Sequence, residues 1–160
     1  MRIAPLSLDD PAECVAAWRL QRAAYAREAA LIGSTGMAAL HERVADLAAN
    51  RTERFDGAWA EPRTPQGLLG LIVVEATPEG WLISRLAIDP RHLRRGVARA
   101  LLRHVVARHG AEGLRVSTGE ANSPARGLYE SEGFVIETRG PAPDGTPLAR
   151  YRLAAPRLSG

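Results

Sequence analysis

The sequence predicts a single mixed α/β domain over residues 1–160, with the element order β-α-α-β-β-β-α-β-α-β-β. Apolar runs over residues 55–60, 68–76 and 81–88 are separated by turns that contain Pro and Gly, which is typical of an antiparallel meander. A helical segment joins the third run to another at 114–118, and strand–helix–strand connections of this kind are parallel. These observations predict an antiparallel N-terminal half, one parallel crossover and a C-terminal strand pair.

The composition is that of an ordinary globular protein. Hydrophobic residues make up 46% of the chain and charged residues 24%, close to the usual proportions. The one cysteine, Cys14, excludes an internal disulfide and a cysteine-rich zinc site, and it fits a reducing, cytoplasmic location. The N-terminal segment lacks the apolar core of a secretory signal, and no run approaches about 18 apolar residues, so we expect no contact with a membrane.

The charge favours a compact anionic ligand over nucleic acid. The net charge is +3 and the pI about 9.7, which by itself is compatible with nucleic-acid binding. However, the aromatic content is 5%, too low for the stacking surfaces that single-stranded nucleic acids need. A nucleotide cofactor is the better expectation. The four histidines lack the spacing of metal ligands, and we expect no metal.

The first third of the chain predicts a short strand and two helices. Residues 2–6 form the strand, and Asp10 followed by Pro11 marks a helix start, with a side-chain cap and a proline in the first helical position. This helix runs to about Ala24, with an extension in the alanine-rich segment that follows. Residues 37–49 have helical spacing of their apolar side chains and predict the second helix.

Residues 88–102, IDPRHLRRGVARALL, pass from a strand through a turn into a helix that begins at Gly96 and ends near His109. The first N–H groups of a helix have no intrahelical partner, and the helix dipole adds about half a positive charge there. Gly96 carries no Cβ, which lets an anion approach the backbone closely. The turn and helix are also rich in arginine: Arg91, Arg94, Arg95, Arg99 and Arg103. The stretch therefore predicts an anion-binding site.

The C-terminal third predicts one more helix and a closing pair of strands. Ser123-Pro124 is predicted to cap the helix, and Gly133 to end it. Residues 134–138 and 148–153 follow as strands, joined by a loop rich in Gly and Pro.

Two segments resemble signatures of the GNAT superfamily of N-acetyltransferases. Residues 93–98, LRRGVA, follow Ile88-Asp89-Pro90 and are similar to its acyl-CoA signature, which is Gln or Arg, two residues, Gly, one residue, then Gly or Ala. Residues 122–134, NSPARGLYESEGF, resemble a second pattern, N-x-x-A-x-x-L-Y-x-x-x-G-F. The predicted element order also matches this fold. On these two motifs, separated by a helix and a strand, the chain is identified as a member of the superfamily.

The resemblance implies the GNAT fold, in which a pair of neighbouring strands splays apart, and acetyl-CoA as co-substrate without a metal. It implies an enzyme that moves an acetyl group from acetyl-CoA directly to a primary amine, with a small-molecule amine as the first choice. A protein N-terminus or a lysine is the alternative acceptor. A regulatory domain that binds acyl-CoA without catalysis is a second alternative. The oligomeric state is open, a homodimer included.

The resemblance also implies where coenzyme A binds. The pyrophosphate would lie on the backbone amides of residues 93–98, and the pantetheine arm along residues 86–88, with the start of the last helix on its other side. The cofactor-binding residues implied in this way are Leu86, Ala87, Ile88, Leu93, Arg94, Arg95, Gly96, Val97, Ala98, Arg99, Asn122, Ala125 and Tyr129. Leu93 stands where the family has Gln or Arg. A leucine can serve there if backbone N–H groups bind the phosphate, with Arg94 or Arg95 supplying the charge.

For the chemistry, the resemblance implies Tyr129, because the matching tyrosine in the superfamily protonates the departing thiolate. A base is also needed, since an alkyl ammonium has a pKa of about 10.4 and making it neutral at pH 7 costs about 4.6 kcal/mol. Glu28 is the candidate base or acceptor contact, because the loop after the first helix usually covers the acceptor pocket in this superfamily. Other candidate bases are Glu75, Asp89 and Glu120. Arg85 is predicted to face either that pocket or solvent.

Overall fold

The computed structural model describes residues 1–33 and 41–153. The strands are β1 (Arg2–Pro5), β2 (Arg54–Trp59), β3 (Leu68–Thr77), β4 (Gly80–Ile88), β5 (Leu114–Gly119), β6 (Val135–Pro141) and β7 (Pro147–Leu153). The helices are α1 (Pro11–Ile32), α2 (Val44–Ala48), α3 (Val97–His109) and α4 (Ser123–Ser131). The described strands form one sheet in the order β1-β2-β3-β4-β5-β7-β6. The predicted fold class and element order are confirmed. None of the described helices is long and apolar enough to cross a membrane.

The parallel pair of β4 and β5 is joined over a short length. Trp81 pairs with Leu114, and the pairing stops where Ile83 meets Val116. Beyond this point β4 remains paired with β3 as far as Ile88, while its other side is open. The strands therefore splay apart as expected, and backbone groups on the open side of β4 are left for a ligand or for water.

A β-bulge lies at the point of separation. Val73 pairs with Arg85 and Val74 pairs with Ile83, so that Ser84 is an extra residue in β4. A bulge bends its strand and redirects the side chains next to it. Strand β4 is therefore bent at the place where the gap opens.

Helix α1 begins and ends with the residues that the sequence predicts. The Asp10 side chain accepts hydrogen bonds from the N–H groups of Ala12, at 2.9 Å, and Glu13, at 3.3 Å. Gly33 ends the helix in the left-handed conformation, with φ of 68°, so the extension beyond Ala24 is helical. The side chains that α1 buries are Cys14, Ala17, Leu20, Gln21, Tyr25 and Ala29.

The second helix is shorter than predicted. Residues 37–40 of the predicted segment lie outside the described part of the chain. Glu42 is not helical and Arg43 is extended, with φ of −90° and ψ of 159°, so α2 begins after them. The indole N–H of Trp18 donates to the Glu42 carbonyl oxygen at 2.7 Å. This contact with α1 holds the segment in a non-helical conformation, and the prediction of one continuous helix over 37–49 is wrong.

Two apolar cores cover the two faces of the sheet. Successive residues of a strand point to opposite faces, and in β3 Ile72 and Val74 belong to one core while Leu71 and Val73 belong to the other. Helices α3 and α4 complete the first core, and α1 and α2 complete the second. The predicted inner face of α3 is buried: Val97, Leu101 and Val105.

Gly70 sets how closely β3, β4 and α3 approach one another. A Cβ at this position would lie 2.7 Å from Ile88 Cδ1, 3.0 Å from Val97 Cγ1 and 3.1 Å from the Ala87 carbonyl oxygen. We expect Gly70→Ala to lower the free energy of unfolding by roughly 1–3 kcal/mol, because backbone and core must move apart. Urea unfolding followed by tryptophan fluorescence measures this change.

Gly127→Ala is the matched control for that experiment. Gly127 is exposed in α4, and a Cβ there would meet no heavy atom within 4 Å. Alanine should raise the free energy of unfolding by up to about 1 kcal/mol, because it is the better helix former. If Gly70→Ala had the same free energy of unfolding as the wild-type protein, the close packing at Gly70 would not be important for stability.

Candidate active site

A cavity of about 1300 Å³ follows the gap between β4 and β5. It is lined by the C-terminal half of β4, the end of β5, the second half of α1 and the first turns of α3 and α4. The loop between β6 and β7 also contributes to its wall. The open side of the sheet and the N-termini of two helices therefore meet at one cavity.

One end of the cavity is the start of α3. Gly96 is the N-cap and adopts the left-handed conformation, with φ of 79°, which favours glycine. The first hydrogen bond of the helix joins the Ala100 N–H to the Gly96 carbonyl oxygen at 3.0 Å. The N–H groups of residues 97–99 therefore have no partner within the helix, and with the helix dipole they can bind an anion.

Three of the arginines near this turn are used in ion pairs. Arg91 Nη2 lies 2.8 Å from Asp89 Oδ2. Arg99 and Arg103 both pair with Glu132, the latter with its Nε 3.1 Å from Oε1. Much of the positive charge that the sequence places here is thus neutralised by the protein itself.

Arg94 supplies the cation that remains for a ligand. It lies in the turn with φ of 62° and lines the cavity, and it has no ion pair with any described residue. Arg95 is not among the residues that line the cavity, and its Nη1 lies 3.4 Å from His92 Nδ1. Leu93 does line the cavity. Backbone N–H groups and Arg94 therefore provide the positive potential at this end.

Tyr129 extends from α4 to the cavity wall and is 4% exposed. Its ring packs against Phe134, with centroids 5.8 Å apart, and against Tyr151, at 6.0 Å. The hydroxyl forms no hydrogen bond with the part of the chain that the structure describes. Burial and, to a smaller extent, the charge of Glu28 and the neighbouring Tyr25 raise the pKa of Tyr129 above its usual range. The phenol therefore keeps its proton at neutral pH.

Glu28 lines the cavity near Tyr129. Burial raises the pKa of its carboxyl, and a side-chain hydrogen bond with Asn122 opposes part of this shift. Asn122, rather than the predicted Ser123, is the N-cap of α4, and its Oδ1 accepts from the Ala125 N–H at 3.2 Å. The amide nitrogen of Asn122 is thus left to donate to Glu28. Asn122, Glu28 and Tyr129 are therefore neighbours in the cavity wall.

Residues 56–136 match the family model described as an acetyltransferase (GNAT) domain. The chain belongs to the GNAT acetyltransferase family. The membership that the two sequence motifs predict is confirmed.

Two curated proteins are similar to this GNAT chain. UPF0157 protein YqkA of Bacillus subtilis is 36% identical over 135 residues, which are 84% of this chain and 38% of that protein. Peptidyl-lysine N-acetyltransferase YiaC of Escherichia coli is 32% identical over 69 residues, which are 43% of this chain and 44% of that protein. The chain therefore matches less than half of the length of each relative.

A solved GNAT structure has the same fold. It is the PaiA N-acetyltransferase from Thermoplasma acidophilum in complex with coenzyme A, with a TM-score of 0.68 and 17% identity. The likeness covers 94% of this chain and 98% of that one.

The cavity brings together nearly all of the residues predicted for the GNAT site. Every residue predicted to bind the cofactor lines it except Arg95. Arg99 does so with its guanidinium paired to Glu132. Glu28 and Arg85 line the same cavity. Their individual roles remain predictions. Within the described ranges, no three His, Cys, Asp or Glu side chains are grouped to hold a metal ion.

The other candidate bases lie elsewhere. The guanidinium paired with Asp89 lowers the pKa of that carboxyl, which makes it a weak base. Glu120 pairs with Arg139, with Oε1 3.4 Å from Nε. Glu75 lies in β3, apart from the residues that line the cavity. Glu28 is therefore the predicted base that the fold brings to Tyr129.

Two further carboxylates in the cavity, Glu42 and Glu53, are missed by the sequence analysis. Both meet Arg85, whose Nη1 and Nη2 donate to the two oxygens of Glu42 at 2.8 and 3.0 Å. Glu53 Oε1 lies 3.6 Å from Arg85 Nη2, and Gln21 Oε1 accepts from Nη1 at 2.7 Å. Arg85 thus faces the cavity rather than solvent. Glu42 lies in the segment predicted as the second helix and Glu53 just before β2. Neither belongs to a motif, so the sequence carries no signal for a role in the cavity.

The raised pKa of Glu28 predicts that its ionised form destabilises the fold. The folded state holds this proton more tightly than the unfolded state, so the stability it contributes is complete below the unfolded pKa, about 4.3. That contribution is lost as the pH rises through the folded pKa. We expect Glu28→Gln to raise Tm by a few degrees at about pH 7 and to leave it unchanged at about pH 4, as measured by calorimetry.

The control is Glu79→Gln, because the Glu79 side chain is 78% exposed. The Tm of this variant should differ little from that of the wild-type protein at either pH. A Glu28→Gln protein that is less stable than wild type at neutral pH would mean that the carboxylate is stabilised rather than penalised in the cavity.

Proposed function

We propose that the protein transfers an acetyl group from acetyl-CoA directly to a primary amine, without a covalent intermediate on the enzyme. The observation that carries this proposal is the single cavity that joins the start of α3 to Glu28 and Tyr129. A site for an anionic cofactor and an acid–base pair share that space, as direct transfer requires.

The residues present fit coenzyme A. The free N–H groups at the start of α3, with Arg94 and the glycine at position 96, would hold the pyrophosphate. The open backbone of residues 86–88 would pair with the amides of the pantetheine arm, since β5 does not cover it. When bound, acetyl-CoA supplies the acetyl thioester.

Side chains of this protein accept and donate the protons of the reaction. Glu28 accepts the proton of the acceptor ammonium, and its raised pKa makes it a stronger base than a solvated carboxylate. Tyr129 Oη would donate its proton to the thiolate as the carbon–sulfur bond breaks and the amine nitrogen bonds to the acetyl carbon. The second proton that this nitrogen loses on becoming an amide would restore the phenol. The side-chain oxygen of Asn122 caps α4, and its side-chain N–H donates to the Glu28 carboxylate and orients it.

A small-molecule amine is the proposed acceptor, because α1 and the β6–β7 loop both form part of the wall of the cavity that contains Glu28. A peptide amine is the alternative, and the similarity to a peptidyl-lysine N-acetyltransferase favours it. Release of free thiol from acetyl-CoA, measured with a panel of small amines and of peptides, separates the two. If the protein binds acetyl-CoA tightly but no amine causes release of free thiol, the result would instead support a regulatory acyl-CoA-binding domain.

We expect Tyr129→Phe to lower kcat by about 10²–10⁴-fold, the usual contribution of a general acid. The dissociation constant of acetyl-CoA should change less than about threefold, because the hydroxyl is needed for proton transfer rather than for binding. Stopped-flow thiol release and calorimetric titration measure the two quantities. The matched control is Tyr151→Phe, which removes a hydroxyl from the neighbouring ring and should keep most of the activity. Equal loss in both variants would remove Tyr129 from the acid role.

We expect Gly96→Ala to weaken coenzyme A binding by about tenfold or more, because the Cβ occupies the space where the pyrophosphate meets the backbone. Alanine is also strained at a φ of 79°. Gly113→Ala controls for that strain, since Gly113 has φ of 87° and lies away from the cavity. Both variants should lose stability, and Gly96→Ala alone should lose affinity in a calorimetric titration. Unchanged affinity would place the cofactor elsewhere.

A further inference from the structure

The end of the cavity away from α3 carries an excess of negative charge. We call this region the acceptor end and define it by Glu28, Glu42, Glu53 and Arg85, which all line the cavity. The last three have side chains only 19%, 12% and 14% exposed, so their charges are poorly screened by solvent.

Arg85 is not available to bind an anionic substrate. Its Nη1 donates to Gln21 and Glu42, and its Nη2 donates to Glu42 and lies beside Glu53. A substrate carboxylate would have to displace a bidentate pair that is already formed. The cation of the acceptor end therefore serves to hold two glutamates in place.

The remaining charges near the cavity do not restore the balance. Arg27 and Asp144, which also line it, carry opposite charges. Residues 34–40 have no charged side chain in the sequence. Arg94 lies at the start of α3, where the anionic cofactor takes up its charge. Among the described residues, the acceptor end thus has three carboxylates and one guanidinium, which pairs with Glu42 and Glu53.

A reacting monoamine cannot supply the missing positive charge. Its nitrogen must be neutral to attack, and in the proposed function its proton moves to Glu28, which becomes neutral as well. Glu42 and Glu53 then still share the single guanidinium of Arg85. The other described side chains that donate to the Glu53 carboxylate are uncharged: Asn50 and Ser84. A partly buried carboxylate without a matching cation is costly, so a second cationic group on the acceptor would bind more tightly there.

We propose that the acceptor is a small amine that carries a second positive charge, such as an alkyl diamine, with that charge held by Glu42 and Glu53. The inference rests on the proposed acetyl transfer. The residue Tyr129 is 4% exposed, and its hydroxyl has no hydrogen-bond partner among the described residues. It marks the reacting end of the cavity, beside Glu28, independently of Glu42 and Glu53. One amino group is acetylated near Tyr129 while the other remains charged at the acceptor end.

The test compares three acceptors of equal length: diaminobutane, butylamine and aminobutyrate, whose far ends are cationic, neutral and anionic. We expect kcat/KM for the diamine to exceed that for butylamine by about tenfold or more, and aminobutyrate to react slowest, since its carboxylate faces Glu42 and Glu53. Thiol release from acetyl-CoA gives all three values on the wild-type protein. The same three kinds of acceptor with three and with five carbons show whether the distance between the two ends of the molecule affects the result.

A pair of variants ties the preference to the acceptor end. Glu53→Gln should reduce the ratio of kcat/KM between diamine and monoamine by about fivefold or more, because it removes one of the charges that holds the second ammonium. Glu79→Gln removes an exposed carboxylate of the β3–β4 turn and should leave the ratio unchanged. Tm and coenzyme A affinity of both variants show that fold and cofactor site are intact.

Equal kcat/KM for the diamine and the monoamine would overturn the inference of a second positive charge on the acceptor. A higher kcat/KM for aminobutyrate would overturn it too. Neither result would contradict acetyl transfer itself. If no amine releases thiol, acetyl transfer to small amines fails, and calorimetric binding of the same amines to the protein saturated with coenzyme A decides the inference. Tighter binding of the diamine, by about tenfold, would then support it, and equal binding would overturn it.

Discussion

The separation of β4 from β5 beyond Ile83 is the constraint on which the site depends. A strand edge without a neighbour leaves N–H and C=O groups that a ligand or water must satisfy. The bulge at Ser84 bends β4 at this point. On the other strand, a Cβ at Gly119 would lie 2.7 Å from Ile32 Cγ2, so the glycine lets the end of α1 come close. The gap is therefore built by both strands and covered by a helix.

The cavity keeps opposite charges at its two ends. At the start of α3, ion pairs neutralise Arg91, Arg99 and Arg103, and the backbone N–H groups with Arg94 are left to attract an anion. At the acceptor end, Arg85 is used to hold glutamates, and the surplus charge is negative. The anionic cofactor and the proposed cationic acceptor would thus be attracted to different parts of one cavity, which would limit competition between them.

What the sequence predicts correctly is what depends on neighbours along the chain. Gly96 and Tyr129 belong to motifs that each span only a few consecutive residues, and the fold brings both to the cavity, although their roles stay predictions. Glu42 is missed because its partner Arg85 is 43 residues away, and the pair exists only once β4 lies beside the segment after α1. The shortened second helix has the same cause, since Trp18, 24 residues from Glu42, fixes a carbonyl oxygen that local periodicity assigns to a helix.

Burial couples the proposed acid to the proposed base. It raises the pKa of both Glu28 and Tyr129, which strengthens the base but makes the phenol a more reluctant donor. The negative charge of Glu28 adds to the raised pKa of Tyr129. When Glu28 takes the proton of the amine, that charge disappears and the pKa of Tyr129 falls. In the proposed reaction the phenol therefore becomes a better acid only after the ammonium has lost its proton to Glu28. Proton uptake by the proposed base would thus favour proton release from the proposed acid.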